Sequence, residues 1–242
     1  MHVPSRKGRV MDVRGIYAEF PTLDPDVLLR YRRIVEQIPF RAGILEIGRG
    51  DVGLAHLLGA PMVTCDIRPV ARPAAGESFV RASGNQLPFR DASFDAVVAV
   101  DVVEHLPKDR RPFFVRETLR VSRGLVFLAC PTARSERAEA VHRKLLGVVR
   151  GEENPWLEEH SQRGLPTEKE IVGSIPADWH VDRLPSVNLL AWSLNRFLVD
   201  VVHISTRPLA WLGSVVDIGQ TYRTVFVLRR SSFATASPGK RG

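Results

Sequence analysis

The sequence predicts an α/β fold built on a doubly wound, mostly parallel sheet, and three observations carry that prediction. Residues 43–59, GILEIGRGDVGLAHLLG, run from a short apolar segment through Gly48, Gly50 and Gly53 into helical spacing at Leu54, Leu57 and Leu58: a strand, a tight turn and a helix. Short apolar runs then alternate with helical periodicity as far as residue 131. Finally, Glu46, Asp66 and Asp101 each fall where such a run stops, and ligands of doubly wound sheets bind outside the carboxyl ends of the strands.

The elements follow in order. Residues 1–20 read as a basic arm, and residues 24–38 as a helix whose apolar face is Val27, Leu28, Tyr31, Ile34, Val35 and Ile38. Pro25 after Asp24 suits its first turn. Strands are expected at 44–47, 61–66 (PMVTCD), 77–81 (ESFVR), 94–100 and 124–130 (GLVFLAC), the last stopped by Pro131, with a helix over 110–121. Residues 134–150 read as a helix and 151–166, rich in Pro, Gly and polar side chains, as an ordered loop. Thr167 with Glu170 forms a capping box for a short helix. A strand over 179–184, an amphipathic helix over 187–203 and a closing strand over 222–229 complete the domain, which spans 21–230 with insertions near 134–175 and 187–216; residues 231–242 are a polar tail.

Composition bounds the partners. A chain of 242 residues with 44% hydrophobic and 25% charged residues holds one large globular α/β domain. Its net charge of +7 is spread as scattered arginines without a basic, aromatic-interleaved track, so no nucleic-acid partner is expected. The two cysteines lie in apolar strands, which points to reduced core residues and to no metal site. With no apolar leader and no long apolar run, a cytoplasmic location is expected.

Glycine is required in the turn after the first strand because backbone there must approach a ligand closely. Gly48, Gly50 and Gly53 also fit a dinucleotide fingerprint, so a nicotinamide-dependent oxidoreductase is an alternative reading. Charge argues against it, since Glu46 and Asp51 would crowd a pyrophosphate at the helix N-terminus. A cationic ligand such as S-adenosylmethionine suits acids there. Asp66, about 20 residues beyond the glycines, suits the ribose hydroxyls.

Taken in sequence, ILEIGRGDVG, VTCD, LPFRDASFDAVVAVDVVEHLP and RVSRGLVFLACP resemble class I S-adenosylmethionine-dependent methyltransferases of the type 11 branch, over residues 40–131. The resemblance implies a Rossmann-like, seven-stranded sheet whose last strand is antiparallel, and S-adenosylmethionine as cofactor. Position by position it places Glu46, Gly48, Arg49 and Gly50 at the methionine moiety, Asp66 and Ile67 at the ribose, Ser83 and Gly84 at the adenine, and Asp101 and Val102 near the methionine end. Arg49 stands where a small residue is usual and Val52 where a third glycine is usual; a non-catalytic cofactor-binding module is a further reading of these departures.

Methyl transfer to a hydroxyl needs a base, and histidine serves at neutral pH. His105, just beyond the fourth strand, is the first candidate, and His160 beside Glu159 the second. The sequence DVVEHLP lacks the motif of amino-methylating nucleic-acid enzymes, which leaves a small-molecule, glycan or lipid-linked acceptor, methylated on oxygen in the leading reading and on nitrogen or carbon in the lesser ones. By the resemblance no cysteine lies where covalent attack on a pyrimidine would need it, and Cys130 at the end of the fifth strand is left open on chemistry alone. The Trp-bearing segment 188–213 is read as an intramolecular cap, with a homodimer contact or a peripheral membrane contact as other uses of its apolar side.

Overall fold

A computed structural model describes residues 18, 23–39, 42–69, 72–204 and 219–231. The basic arm except residue 18, part of the 187–216 insertion, and all of the tail but Ser231 lie outside the described residues.

Described strands β1 (Ile44–Ile47), β2 (Met62–Asp66), β3 (Glu77–Arg81), β4 (Ala96–Val100), β5 (Leu125–Pro131), β6 (Trp179–Asn188) and β7 (Thr221–Arg230) form one seven-stranded sheet in the order β3-β2-β1-β4-β5-β7-β6. Only β7 runs against its neighbours, pairing antiparallel with both β5 and β6. The chain order reverses between β1 and β4, which opens the crevice where doubly wound folds take ligands. Alternate residues of the central strands feed opposite cores. Ala96, Val98 and Val100 with Leu125, Phe127 and Ala129 meet Leu28, Tyr31 and Ile34 of helix α1 (Pro25–Val35) and Leu54 and Leu57 of α2 (Leu54–Leu58). Val97 and Ala99 with Val126, Leu128 and Cys130 meet Phe114, Val115 and Leu119 of α3 (Arg111–Val121) and Ile171 of α6 (Glu168–Gly173). Both faces are covered, which is why these strands read as continuous apolar runs.

Strand β5 ends at Pro131, as the sequence predicts; the proline is its last residue, opposite Arg223 of β7, where it forfeits no essential ladder bond. Two expectations need correction. The loop expected over 151–166 contains a helix, α5 (Pro155–Arg163). Asn154 caps it by accepting from the Trp156 and Leu157 amides, and Pro155 occupies the first helical position, so the residues that suggested a loop are a helix start. The helix expected over 187–203 is shorter: β6 runs to Asn188, α7 covers Leu189–Arg196, and one π-turn covers Phe197–Val201. Helix α4 (Glu136–Arg150) and the Thr167–Glu170 capping box match the sequence reading, with the Glu170 amide donating to Thr167 Oγ1 at 3.1 Å.

Gly84 shows how close the layers pack. A Cβ there would sit 2.5 Å from the Phe114 ring and 3.2 Å from Ile47. Gly84→Ala should therefore cost about 1–3 kcal/mol, the range for overpacking. In a Phe114→Leu background the added methyl has room and its cost should shrink, a coupling that urea denaturation of the four proteins in the cycle measures.

Candidate functional site

The crevice is bounded by the turns after β1, β2, β3 and β4. Glu46, near the end of β1, is 1% exposed, and its carboxylate is directed under the glycine turn. Both of its oxygens accept from the Leu54 amide, at 2.9 and 2.8 Å, and Oε1 also accepts from the Tyr31 hydroxyl at 2.8 Å. The N-terminus of α2 is thus occupied by the protein's own carboxylate, where a dinucleotide would place its pyrophosphate. Sequence reasoning assigned the acid to the ligand, but in the structure it braces the turn. Gly53 must be glycine because a Cβ would lie 2.6 Å from Glu46 Oε2.

Arg49 also turns away from the crevice. It is buried, ion-paired with Glu77 of β3 at 2.7 Å, and donates to the carbonyl of Asp51. This large residue in the turn ties β1 to β3 and leaves the open side of the turn clear. Gly48 and Gly50 both have positive φ, 72° and 61°. A Cβ on Gly48 would collide with Val102, whereas one on Gly50 would meet nothing within 4 Å.

Asp66 presents its carboxylate at the end of β2, receiving the Arg68 amide at 2.9 Å and the Gly50 amide at 3.4 Å. The adjoining Ile67 is 62% exposed, an uncovered apolar shelf. Beyond β3, exposed Ser83 accepts from the Asn85 amide at 3.3 Å, and Asn85 Oδ1 is buried with no donor among the described residues. An acid with free lone pairs, an apolar shelf and an orphaned amide oxygen fit a ribose and a base.

Asp101 ends β4 in a left-handed conformation, φ 53°. It is gripped by Arg223 of β7 through two bonds of 2.7 and 2.9 Å, and by Arg30 of α1 at 3.1 Å. Although burial opposes its ionisation, Arg223 and then Arg30 hold its carboxyl below the usual range. Of the three acids at strand ends, Asp66 alone offers its charge outward. The sequence argument from a ring of free acids therefore needs correction, since two of them are neutralised or consumed inside the protein.

His105 and His160 come together. The 3₁₀ turn Val103–His105 follows β4, and α5 crosses it. Their Nε2 atoms lie 3.4 Å apart. His105 Nδ1 is 2.7 Å from Glu159, and His160 Nδ1 is 3.1 Å from Glu139, which also accepts from the Tyr222 hydroxyl at 2.7 Å. Burial, and then the neighbouring His160, lower the His105 pKa, which favours the neutral, proton-accepting ring. Glu104 is wholly buried beside them, and burial followed by the charge of Asp101 raises its pKa well above the carboxylate range. A cavity of about 220 Å³ adjoins His160 and Glu139 between α4 and α5. Glu104, Glu139, Tyr222 and Arg223 were missed in the sequence, where only the dipeptide before Leu106 hinted at the first. Cys130 is buried and its thiol pushed up by that burial, so it is not poised as a nucleophile.

Residues 45–129 match the family model described as a methyltransferase domain, type 11. This segment is a class I methyltransferase domain. S-adenosylmethionine is its cofactor, and the open Gly50 cradle and the Asp66–Ile67 shelf fit that molecule's nucleoside. Solved structures sharing the fold include an S-adenosylmethionine-dependent methyltransferase of Thermotoga maritima, at 13% identity over 89% of this chain and 93% of that one with a TM-score of 0.52. A Pyrococcus horikoshii protein is 16% identical over 90% and 92%, with a TM-score of 0.50. The protein of a disulfide-to-thioacetal conversion in echinomycin biosynthesis is 15% identical over 88% and 84%, with a TM-score of 0.52. No curated protein matches the chain. Among the described residues, no helix is long and apolar enough to cross a membrane.

Burial raises the Glu46 pKa to about 7, against the Leu54 and Tyr31 hydrogen bonds that favour its ionised form. Because the folded value exceeds the unfolded one, its stabilising contribution is complete below the unfolded pKa and is lost as pH rises through 7. Between pH 5 and 8 the protein should lose roughly 2–3 kcal/mol more stability than Glu46→Gln. Denaturant titrations at the two pH values measure this, and parallel losses would show the carboxyl to be ionised throughout.

Proposed function

We propose that the protein transfers a methyl group from S-adenosylmethionine to an oxygen of a small-molecule, glycan or lipid-precursor acceptor. The observation that carries the oxygen assignment is the imidazole pair His105–His160, placed just past the end of β4 with both rings anchored by carboxylates. When bound, the cofactor supplies an electrophilic methyl carbon. The chain's own residues do the rest.

Asp66 accepts from the ribose hydroxyls, and Ile67 covers a face of the base. Ser83, Gly84 and Asn85 border the base's polar edge, where the orphaned Asn85 Oδ1 suits an amino donor. Gly48 and Gly50 carry the backbone past the methionine portion, and Val102 packs on Gly48 to set that turn. Glu46 and Arg49 act from behind, holding the turn from α2 and β3, and Asp101 acts through its arginines. For the acceptor, His105 takes the hydroxyl proton at Nε2 while Glu159 fixes the ring from Nδ1, so a base and its orienting acid are both present. His160 places a second nitrogen at the same spot.

The exposed apolar side chains Leu190, Leu194, Phe197 and Ile204 keep the cap, homodimer and peripheral membrane uses of the last helical segment open to the same acceptor question. A lipid-linked acceptor favours the membrane use, and a soluble one the cap.

Asp66→Ala should weaken S-adenosylmethionine binding by about 1–3 kcal/mol, the cost of removing a hydrogen-bond partner of buried hydroxyls. Calorimetry of the folded variant measures it, and unchanged affinity would move the ribose elsewhere. In an acceptor screen with radiolabelled cofactor, His105→Gln should lower kcat by about 100-fold or more with little change in cofactor affinity. A variant that turned over normally would remove the oxygen-acceptor assignment.

A further inference from the structure

Hydrogen-bond logic leaves the imidazole pair incomplete. Glu159 and Glu139 are acceptors when ionised, so His105 and His160 each donate to them from Nδ1–H. Both Nε2 atoms then carry bare lone pairs, and they face each other at 3.4 Å. Two acceptors that close repel unless a positive centre lies between them. Glu104 adds a third ligand atom: it is 0% exposed, and among the described residues neither of its oxygens accepts a hydrogen bond from another residue. One of them lies within 4.8 Å of a ring nitrogen of each histidine.

We propose that Glu104, His105 and His160 bind a divalent transition-metal ion of the zinc type. Two imidazoles on a tetrahedral zinc, with bonds near 2.0–2.1 Å, hold their nitrogens roughly 3.3 Å apart, and the observed separation is 3.4 Å. The set of two imidazole nitrogens and one carboxylate leaves an open position, as catalytic rather than structural sites do. To reach ordinary bond lengths Glu104 would have to move toward the rings. The outer partners are those that metal-bound histidines keep: each Nδ1–H points at a carboxylate, and Glu139 is itself fixed by the Tyr222 hydroxyl. Among the described residues no ion pair within 4.0 Å is made to Glu104. Arg223 and Arg30 are engaged by Asp101, and Arg163 pairs with the other oxygen of Glu159 at 2.7 Å.

The site's use in catalysis rests on the methyl-transfer reading, whereas metal binding itself does not. A bound ion would hold the acceptor's oxygen at the open position and lower its proton affinity, so that its proton could pass to solvent. His105 Nε2 takes the hydroxyl proton only while no ion holds that nitrogen, so its base and ligand roles belong to the metal-free and the metal-bound protein respectively.

Calorimetry with Zn2+ on chelator-dialysed protein, and the visible ligand-field band of Co2+, read the site without turnover. The expected result is one ion per chain with a band of low coordination number. Glu104→Gln and His160→Ala should each weaken binding at least 10-fold, and His180→Ala, at an exposed histidine on β6, should not. Should a buried variant fail to fold by circular dichroism, Glu159→Gln at the half-exposed rim decides, with an expected loss of roughly 10- to 100-fold. Absence of Zn2+ binding by the parent protein, or parent-like affinity in the folded variants, overturns the proposal. Zinc binding without methyl transfer to any acceptor would instead count against the proposed function alone.

Discussion

The architecture of the crevice depends on one buried carboxylate. Glu46 stands at the end of β1, the strand beside the reversal of the sheet, and its oxygens are shared between the first amide of α2 and the hydroxyl of Tyr31 on α1. Strand, turn and two helices are thereby referred to one side chain. The left-handed glycines on either side of Arg49 follow from it, because the chain must rise over the carboxylate and return to offer the Leu54 amide. Gly53 has no Cβ for the same reason. A polar anchor here is costly unless every lone pair is used, and the three hydrogen bonds supply that compensation. It also bears on ligand class, because a carboxylate that takes the first amide of α2 places negative charge where a pyrophosphate would sit.

A second network holds the other wall. Arg223 arrives on the antiparallel strand β7, Arg30 arrives on α1, and both meet Asp101 at the end of β4, with Asp26 of α1 3.6 Å from Arg223. Closing the sheet with a reversed strand brings an arginine from near the chain's end under a residue more than a hundred positions earlier. The left-handed φ of Asp101 turns its side chain to that arginine and sends the following 3₁₀ turn toward α5. The imidazole pair is therefore positioned by the same contact that secures β7. Removing one member of a buried ion pair strands the other, so this contact matters as geometry even where its net energy is small.

These two networks mark the boundary of what could be read from the sequence. Strands β1 to β5, the helix of residues 24–38 and the Thr167 capping box are signalled by period, length and neighbours a few positions away, and all lie where the sequence puts them. The direction of Glu46 is not so signalled, because its partners are 15 residues behind and 8 ahead on different helices. Arg223 is hidden in an apolar strand, and its partner is 122 positions distant. His105 and His160 could each be singled out as chemically suited, yet only the course of α5 shows that they share a site, and α5 was obscured because Asn154 and Pro155 serve a loop and a helix start equally well. Local chemistry was legible, whereas pairing across the sheet was not.

The distribution of charge ties these observations together. The chain carries a net charge of +7, yet Asp101, Glu104, Glu139 and Glu159 gather around two imidazoles beyond β4. Asp101 is balanced by its arginines, and Glu159 leans on Arg163. Among the described residues Glu104 has no such partner, and a carboxyl enclosed without one costs about 1–3 kcal/mol even when neutral. A structural role alone would be better served there by an apolar residue of similar volume, which would pack against Val103 and carry no desolvation cost. What a buried acid adds over such a residue is the capacity to meet a positive centre, and the two imidazole lone pairs converge on the same point. The acids that matter for chemistry thus lie beyond β4, on the acceptor side of the crevice. The glycine turn, which draws the eye first in the sequence, uses its acid to hold itself in place.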